Sequence, residues 1–135
     1  MLCIRYCQRE GCEVSGSPAD LRGVAATIER LCRSGSGSVT LPADASQPAH
    51  PYDRTLTQFI IHVADGLLCA SVHDTILDIA GSHDCLATFA SFFSFDESTP
   101  ENYHCHHEYF EGSSGISPAS TPLVICVSRE STGIA

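Results

Sequence analysis

Two segments of this chain follow the same script. EVSGSPADLRGVAATI, from Glu13, aligns without gaps on DIAGSHDCLATFASFF, from Asp78, at an offset of 65 residues. The Gly-Ser pairs coincide, as do Val14 with Ile79, Leu21 with Leu86, Val24 with Phe89, Ala25 with Ala90 and Ile28 with Phe93. Each copy reads as a strand running through a glycine into a capped amphipathic helix, and a single copy cannot cover its own apolar stripe. The two copies therefore have to be built into one domain. Convergence on a strand, Gly-Ser, helix pattern is the alternative to duplication, since glycine turns and serine caps are common.

Around these anchors the chain divides readily. LCIRYC and CEVSG read as a hairpin turning at Glu10-Gly11. Ser17 is the N-cap of the first helix, Pro18 fits its first position, and Asp20 at N3 completes a capping box. Val39 to Leu41 reads as a short strand, and residues 42–54, with three prolines, as a mobile loop longer than most connections. LTQFIIHVADG predicts a strand ending in an Asp65-Gly66 hairpin turn, followed by LLCASVH, a tight turn at His73-Asp74, and TILDIAG. The second helix starts at the Ser82 cap with Asp84 in its first turn.

The C-terminal part predicts strands at about 103–110 and 122–128. The expectation is one α+β domain over 1–135, with repeat-like units at about 2–33 and 67–95. It has two layers, with two helices on one face of a mostly antiparallel sheet.

At 135 residues and 43% apolar composition the chain can bury a core without covalent staples. Sixteen acidic against seven basic residues give a formal charge of −9, which repels a phosphate backbone and argues against nucleic acid as a ligand. No apolar run approaches the ~20 residues of a membrane span, and Arg5 and Arg9 interrupt the N-terminal segment, so the expectation is a cytoplasmic protein. The eight cysteines contain no C-x-x-C pair and read as reduced thiols, with Cys3, Cys7 and Cys12 as small buried residues rather than zinc ligands.

The stretch YHCHHEYFEG, Tyr103 to Gly112, is the candidate site. Strand alternation sends His104, His106 and Glu108 to one side and Cys105, His107 and Tyr109 to the other. Two readings compete for the first set. In one, His104, His106, Glu108, Tyr109 and Glu111 form a solvated, partner-binding face. In the other, His104 and His106 hold a divalent metal such as zinc, as a metal-binding domain or metal-dependent enzyme. Four strand steps span about 13 Å, too far for Glu108 to share an ion with His104, so a third ligand must come from elsewhere, with His62, His73, Asp74 and His83 as candidates. His107, on the opposite face, reads as a satisfied, semi-buried histidine. There is no G-x-S-x-G elbow, phosphate loop, dinucleotide fingerprint or H-E-x-x-H, so the reading leans away from an enzyme and calls for no cofactor. His73-Asp74 is explained by a turn, and His83-Asp84 by the first turn of a helix.

SGSPADLRGVAA and IAGSHDCLATFA, followed by HCHHEYFEG and SPASTPLVI, resemble the immunity protein 32 family of bacterial polymorphic toxin systems. The family pattern is His-x-His, an apolar residue, then Glu-Tyr-Phe-Pro-Gly, with a later Pro-Leu-Val-Ile strand. His104, His106, Glu108, Tyr109, Phe110 and Gly112 fit it, as do Pro122, Leu123, Val124 and Ile125; His107 and Glu111 depart from it. The likeness covers both helix entries and about Leu67 to Val127, but not the proline-rich middle. It implies a cytoplasmic antidote that binds and blocks a cognate protein toxin.

Overall fold

The helix starts form as their sequences dictate. In the computed structural model, which describes residues 1–129, α1 spans Pro18–Ser34 and α2 spans His83–Ser91. Ser17 Oγ accepts from the Asp20 N–H at 3.0 Å, and the Asp20 carboxylate accepts from the Ser17 N–H at 3.3 Å. This reciprocal box satisfies two donors that a helix start otherwise leaves unpaired. Ser82 repeats the first half of the device, accepting from the Cys85 N–H at 3.3 Å. Gly35, at φ 90°, ends α1 in the left-handed region that glycine adopts without strain.

The strands are β1 (Cys3–Cys7), β2 (Gly11–Gly16), β3 (Ser38–Pro42), β4 (Arg54–Leu56), β5 (Gln58–Val63), β6 (Cys69–His73), β7 (Ile76–Gly81), β8 (His104–His107) and β9 (Leu123–Val127). They make two mixed sheets, ordered β4-β1-β2-β9-β8 and β3-β5-β7-β6. The α+β class with two helices holds, and the pairing is mostly antiparallel, in five of the seven strand pairs; the single sheet does not hold. Instead, the inner strand of each repeat runs parallel to a strand from the other half. In the first sheet Val14 faces Ile125 and Gly16 faces Val127; in the second Ile79 faces Ile61 and Gly81 faces Val63. The sequence repeat is thus carried into the register, with Val14 and Ile79 lying 65 residues apart and their partners Ile125 and Ile61 lying 64 apart, and the halves interlock instead of adding edge to edge.

The same exchange corrects the expected hairpin at Asp65-Gly66. β5 and β6 do not pair, because β7 lies between them. The turn crosses the end of β7 instead: the Ala64 N–H donates to Gly81 O at 2.9 Å, and the Ser82 N–H to Gly66 O at 3.1 Å. The β1–β2 and β6–β7 hairpins form as expected, the second through Asp74 at φ 52°. Residues 43–53, between β3 and β4, carry no regular strand and lie along β1. The Asp44 N–H donates to Leu2 O at 2.7 Å and the Asp53 N–H to Tyr6 O at 3.0 Å. The chain passes from β4 in one sheet to β5 in the other through the single residue Thr57.

One apolar cluster joins both sheets and both helices, which also pack on each other. From α1 it takes Leu21, Val24, Ala25, Ile28 and Leu31, the stripe the spacing predicts; from α2 it takes Leu86, Phe89 and Ala90. Phe93, just past the end of α2, is fully buried with its ring edge-on to Phe89 at 5.1 Å. Burying each such side chain contributes roughly 1.5–3 kcal/mol, so the shared core rather than either repeat alone holds the fold.

Gly11 and Gly35 both have left-handed backbone, but a Cβ on Gly11 would collide with Pro122 O, whereas one on Gly35 meets nothing within 4 Å. Gly35→Ala is expected to destabilise by about 1–2 kcal/mol, from backbone strain alone, and Gly11→Ala by roughly 3 kcal/mol or more. Urea unfolding midpoints at a shared m-value check the order; equal losses would contradict the close β2–β9 approach.

Candidate functional site

β8 is an edge strand, bonded on one side to β9 and, among the described residues, unpaired on the other. It enters through Asn102, at φ 67°, whose N–H donates to Val127 O at 2.9 Å. Alternation divides it as expected, with His104 and His106 exposed, Cys105 half-buried and His107 buried. The strand is shorter than the predicted 103–110. It stops at His107 because the next residues turn away: the Ser113 N–H donates to Phe110 O at 2.9 Å, Ser113 Oγ accepts from the Phe110 N–H at 3.2 Å, and Gly112 takes φ 93°.

The exposed face gathers three of the predicted site residues. The His104 and His106 rings stand edge to face with centroids 5.3 Å apart. His104 Nδ1 lies 3.2 Å from Asn102 O, the geometry of an Nδ1–H donor. Glu108 has left the strand but reaches His106, with Oε1 3.5 Å from Nδ1; both side chains are exposed, so the contact adds little stability. Tyr109 and Glu111 lie on the following turn, exposed.

The three other candidate histidines are engaged elsewhere. His62 Nε2 is 2.8 Å from Asp78 Oδ1, His73 Nε2 is 3.1 Å from Ser71 Oγ, and His83 Nε2 is 3.1 Å from Gly35 O. Among the described residues no three His, Cys, Asp or Glu side chains converge as a metal cage. All eight cysteines are free thiols; Cys3, Cys7 and Cys12 are buried, and burial pushes Cys12 up to about 12, far from a thiolate at neutral pH.

The tertiary structure adds Tyr103 and Phe110 to the predicted Tyr109, which is exposed although alternation puts it on the side of the buried His107. Tyr103 is 53% exposed, Tyr109 40% and Phe110 64%; among the described residues these, with Met1 and Leu67, are the large apolar side chains left in solvent. All three aromatics flank β8. Tyr103 borders a hollow of about 620 Å³ with Phe92, Phe95 and Cys105, and Phe110 borders one of about 480 Å³ with Phe92 and His107. Phe92 is common to both. The signal in the sequence is the Tyr-Phe pair beside the histidines, but only the turn at 110–113 shows that its rings face water.

His107 departs from the satisfied histidine expected. It is 2% exposed, lies edge-on to Phe89 and Phe92 at 4.9 Å each, and its Nδ1 has no hydrogen-bond partner. Burial pushes its pKa below the ordinary value, against a weaker pull from its own main chain, so the ring is neutral at pH 7. An unpaired buried polar group of this kind costs roughly 1–3 kcal/mol.

His107→Leu is therefore expected to stabilise the protein by about 1 kcal/mol near neutral pH. The unfolded chain takes up a proton near pH 6.5 and the folded chain only lower, so stability associated with His107 is complete above about 6.5 and falls as the pH drops below it. The advantage of the leucine variant should widen between about pH 7 and pH 5, as urea midpoints of the two proteins will show; a constant gap would mean that the imidazole titrates normally. No family model, curated protein or solved structure matches the chain, so the functional reading rests on this geometry and chemistry.

Proposed function

We propose that the chain is a non-enzymatic binding protein of the toxin-immunity type, which neutralises a cognate toxin in the cytoplasm by direct contact through β8 and the turn that follows it. The observation that carries this reading is the β8 edge itself: an unpaired strand with exposed His104 and His106, flanked by exposed Tyr103, Tyr109 and Phe110. Exposed aromatic side chains are the residues interfaces use most, and a free strand edge offers main-chain groups for pairing. The formal charge of −9 favours fast encounter with a basic partner. Among the described residues no helix is long and apolar enough to cross a membrane.

The product of the neighbouring reading frame, expressed in a bacterial host with and without this chain, tests the proposal. Growth should be lost in its absence and restored in its presence, and the purified proteins should bind. Phe110→Ala, and the triple change His104→Ala, His106→Ala and Glu108→Ala, should each weaken binding by about tenfold or more with unaltered thermal midpoints, since these side chains are exposed. Binding that survives both variants would remove β8 from the interface, and absence of protection would sink the immunity reading.

The second reading, a divalent metal at His104 and His106, is favoured by the 5.3 Å approach of the two rings and the adjacent Glu108. Metal analysis separates the two readings: stoichiometric zinc lost on His106→Ala would support the site, and metal-free protein that still binds its partner would exclude it from that function.

A further inference from the structure

The matching topology of the two halves supplies an internal reference for the hollow beside His107. α1 and β3 flank one groove in the first half, lined in part by Gly23, Thr27 and Leu41; α2 and β8 flank its counterpart, lined by Thr88, Phe92 and His107. The helix positions correspond through the 65-residue offset. The strand positions correspond through register. Leu41 faces Phe59, which faces Leu77; His107 faces Leu123, which faces Cys12; and Leu77 and Cys12 are themselves 65 apart.

The two grooves have diverged in one direction. Where the first has a threonine on the helix and a leucine on the strand, the second has Phe92 and an imidazole whose Nδ1 lacks a partner. Phe110, 64% exposed, stands at the border of the second groove. Packing alone does not explain the change, because leucine at the equivalent place satisfies the same strand pairing without burying a polar atom. No cation lines the cavity, and Asp84 lies at its border, so neither a carboxylate nor a phosphate finds a counter-charge there. A groove that presents the rings of Phe92, His107 and Phe110, with Thr88, Ser113 and Ser114 also in its lining, takes a flat, largely apolar ligand carrying a hydrogen-bonding atom.

We propose that this cavity of about 480 Å³ is a binding site for a neutral phenolic ring, stacked against Phe92 and Phe110 with its hydroxyl hydrogen-bonded to the His107 imidazole. The ring can arrive as a free phenol or as a tyrosine side chain presented by a protein. A neutral imidazole suits either, since it accepts from the hydroxyl through its unprotonated nitrogen.

Amide-shift titration of the full chain with p-cresol and, as the isostere lacking the hydroxyl, toluene tests this directly. Saturable shifts at Thr88, Phe92, His107 and Phe110 are expected with p-cresol at a Kd on the order of 1 mM, with toluene weaker by about fivefold or more. His107→Leu, which restores the residue of the first half, should abolish the preference for p-cresol, and Phe92→Thr should weaken both ligands. N-acetyltyrosine amide forms the second arm: binding like p-cresol marks a groove open to a protein's tyrosine, and exclusion of this bulkier molecule marks a site for a free phenol. No saturable shift at these residues with p-cresol, or equal affinity for p-cresol and toluene in the unaltered protein, would overturn the proposal without recourse to any variant.

Discussion

The parallel pairing of each repeat's inner strand with a strand from the other half is the constraint on which the structure depends. β2 lies against β9 and β7 against β5, and both contacts end at a glycine that hands the chain straight to a helix cap. The ends are tight. A Cβ on Gly81 would sit 3.1 Å from Leu68 Cα, and one on Gly16 would sit 3.1 Å from Asp20 Cβ. With the strand end and the cap fixed so close together, the direction in which each helix leaves its sheet is fixed as well. Both helices consequently deliver their apolar stripes to one core, and neither sheet has a complete hydrophobic partner until both halves are present. Cooperative folding of the whole chain follows from this interlock more than from any one contact.

What could be read from the sequence, and what could not, divides along the range of the interactions. Ser17, Pro18 and Asp20 write a helix start within four residues, and the Leu21, Val24, Ala25, Ile28 and Leu31 stripe specifies its buried face, so both were legible. The alternation of His104 to His107 likewise predicted which imidazoles face water. The sheet pairing was not legible, because Cys12 meets Leu123 across almost the whole chain and no local signal marks a parallel neighbour. Asp65-Gly66 has the chemistry of a hairpin turn, but that chemistry serves equally well for a turn passing over β7, and only the competition for the β5 edge decides between them. The family pattern included Phe110 without saying whether its ring is buried; the Phe110–Ser113 turn decides it. For His107, periodicity gives the face, whereas partnership depends on what α2 places above it, and α2 places Phe89 and Phe92.

The edge position of β8 has two consequences that pull against each other. An unpaired edge invites association with other strands, and natural sheets blunt such edges with charge, short length or a turn. β8 is four residues long and is followed by Glu108 and Glu111. Both features limit indiscriminate pairing while leaving Tyr103, Tyr109 and Phe110 available to a surface that complements them. If the edge binds a partner as proposed, its acidic and aromatic character favours surfaces that are basic and apolar together.

A core shared between two structurally similar halves makes such specialisation affordable. The first groove, of about 470 Å³, has Leu41 on its strand and the small residues Gly23 and Thr27 on its helix. In the second, Thr88, Phe92 and His107 sit at the matching places, yet the fold around them is unchanged in register. Because the core is shared between the halves, stability lost to an unpaired imidazole beside α2 is offset by contacts that α1 and both sheets make throughout the cluster. The divergent positions are also next to the free edge: His107 is the last residue of β8, and Phe110 lies on the turn that begins just beyond it. A partner gripping the edge would therefore lie beside the opening of the groove, so that one short segment of chain can couple recognition of a strand with recognition of a ring.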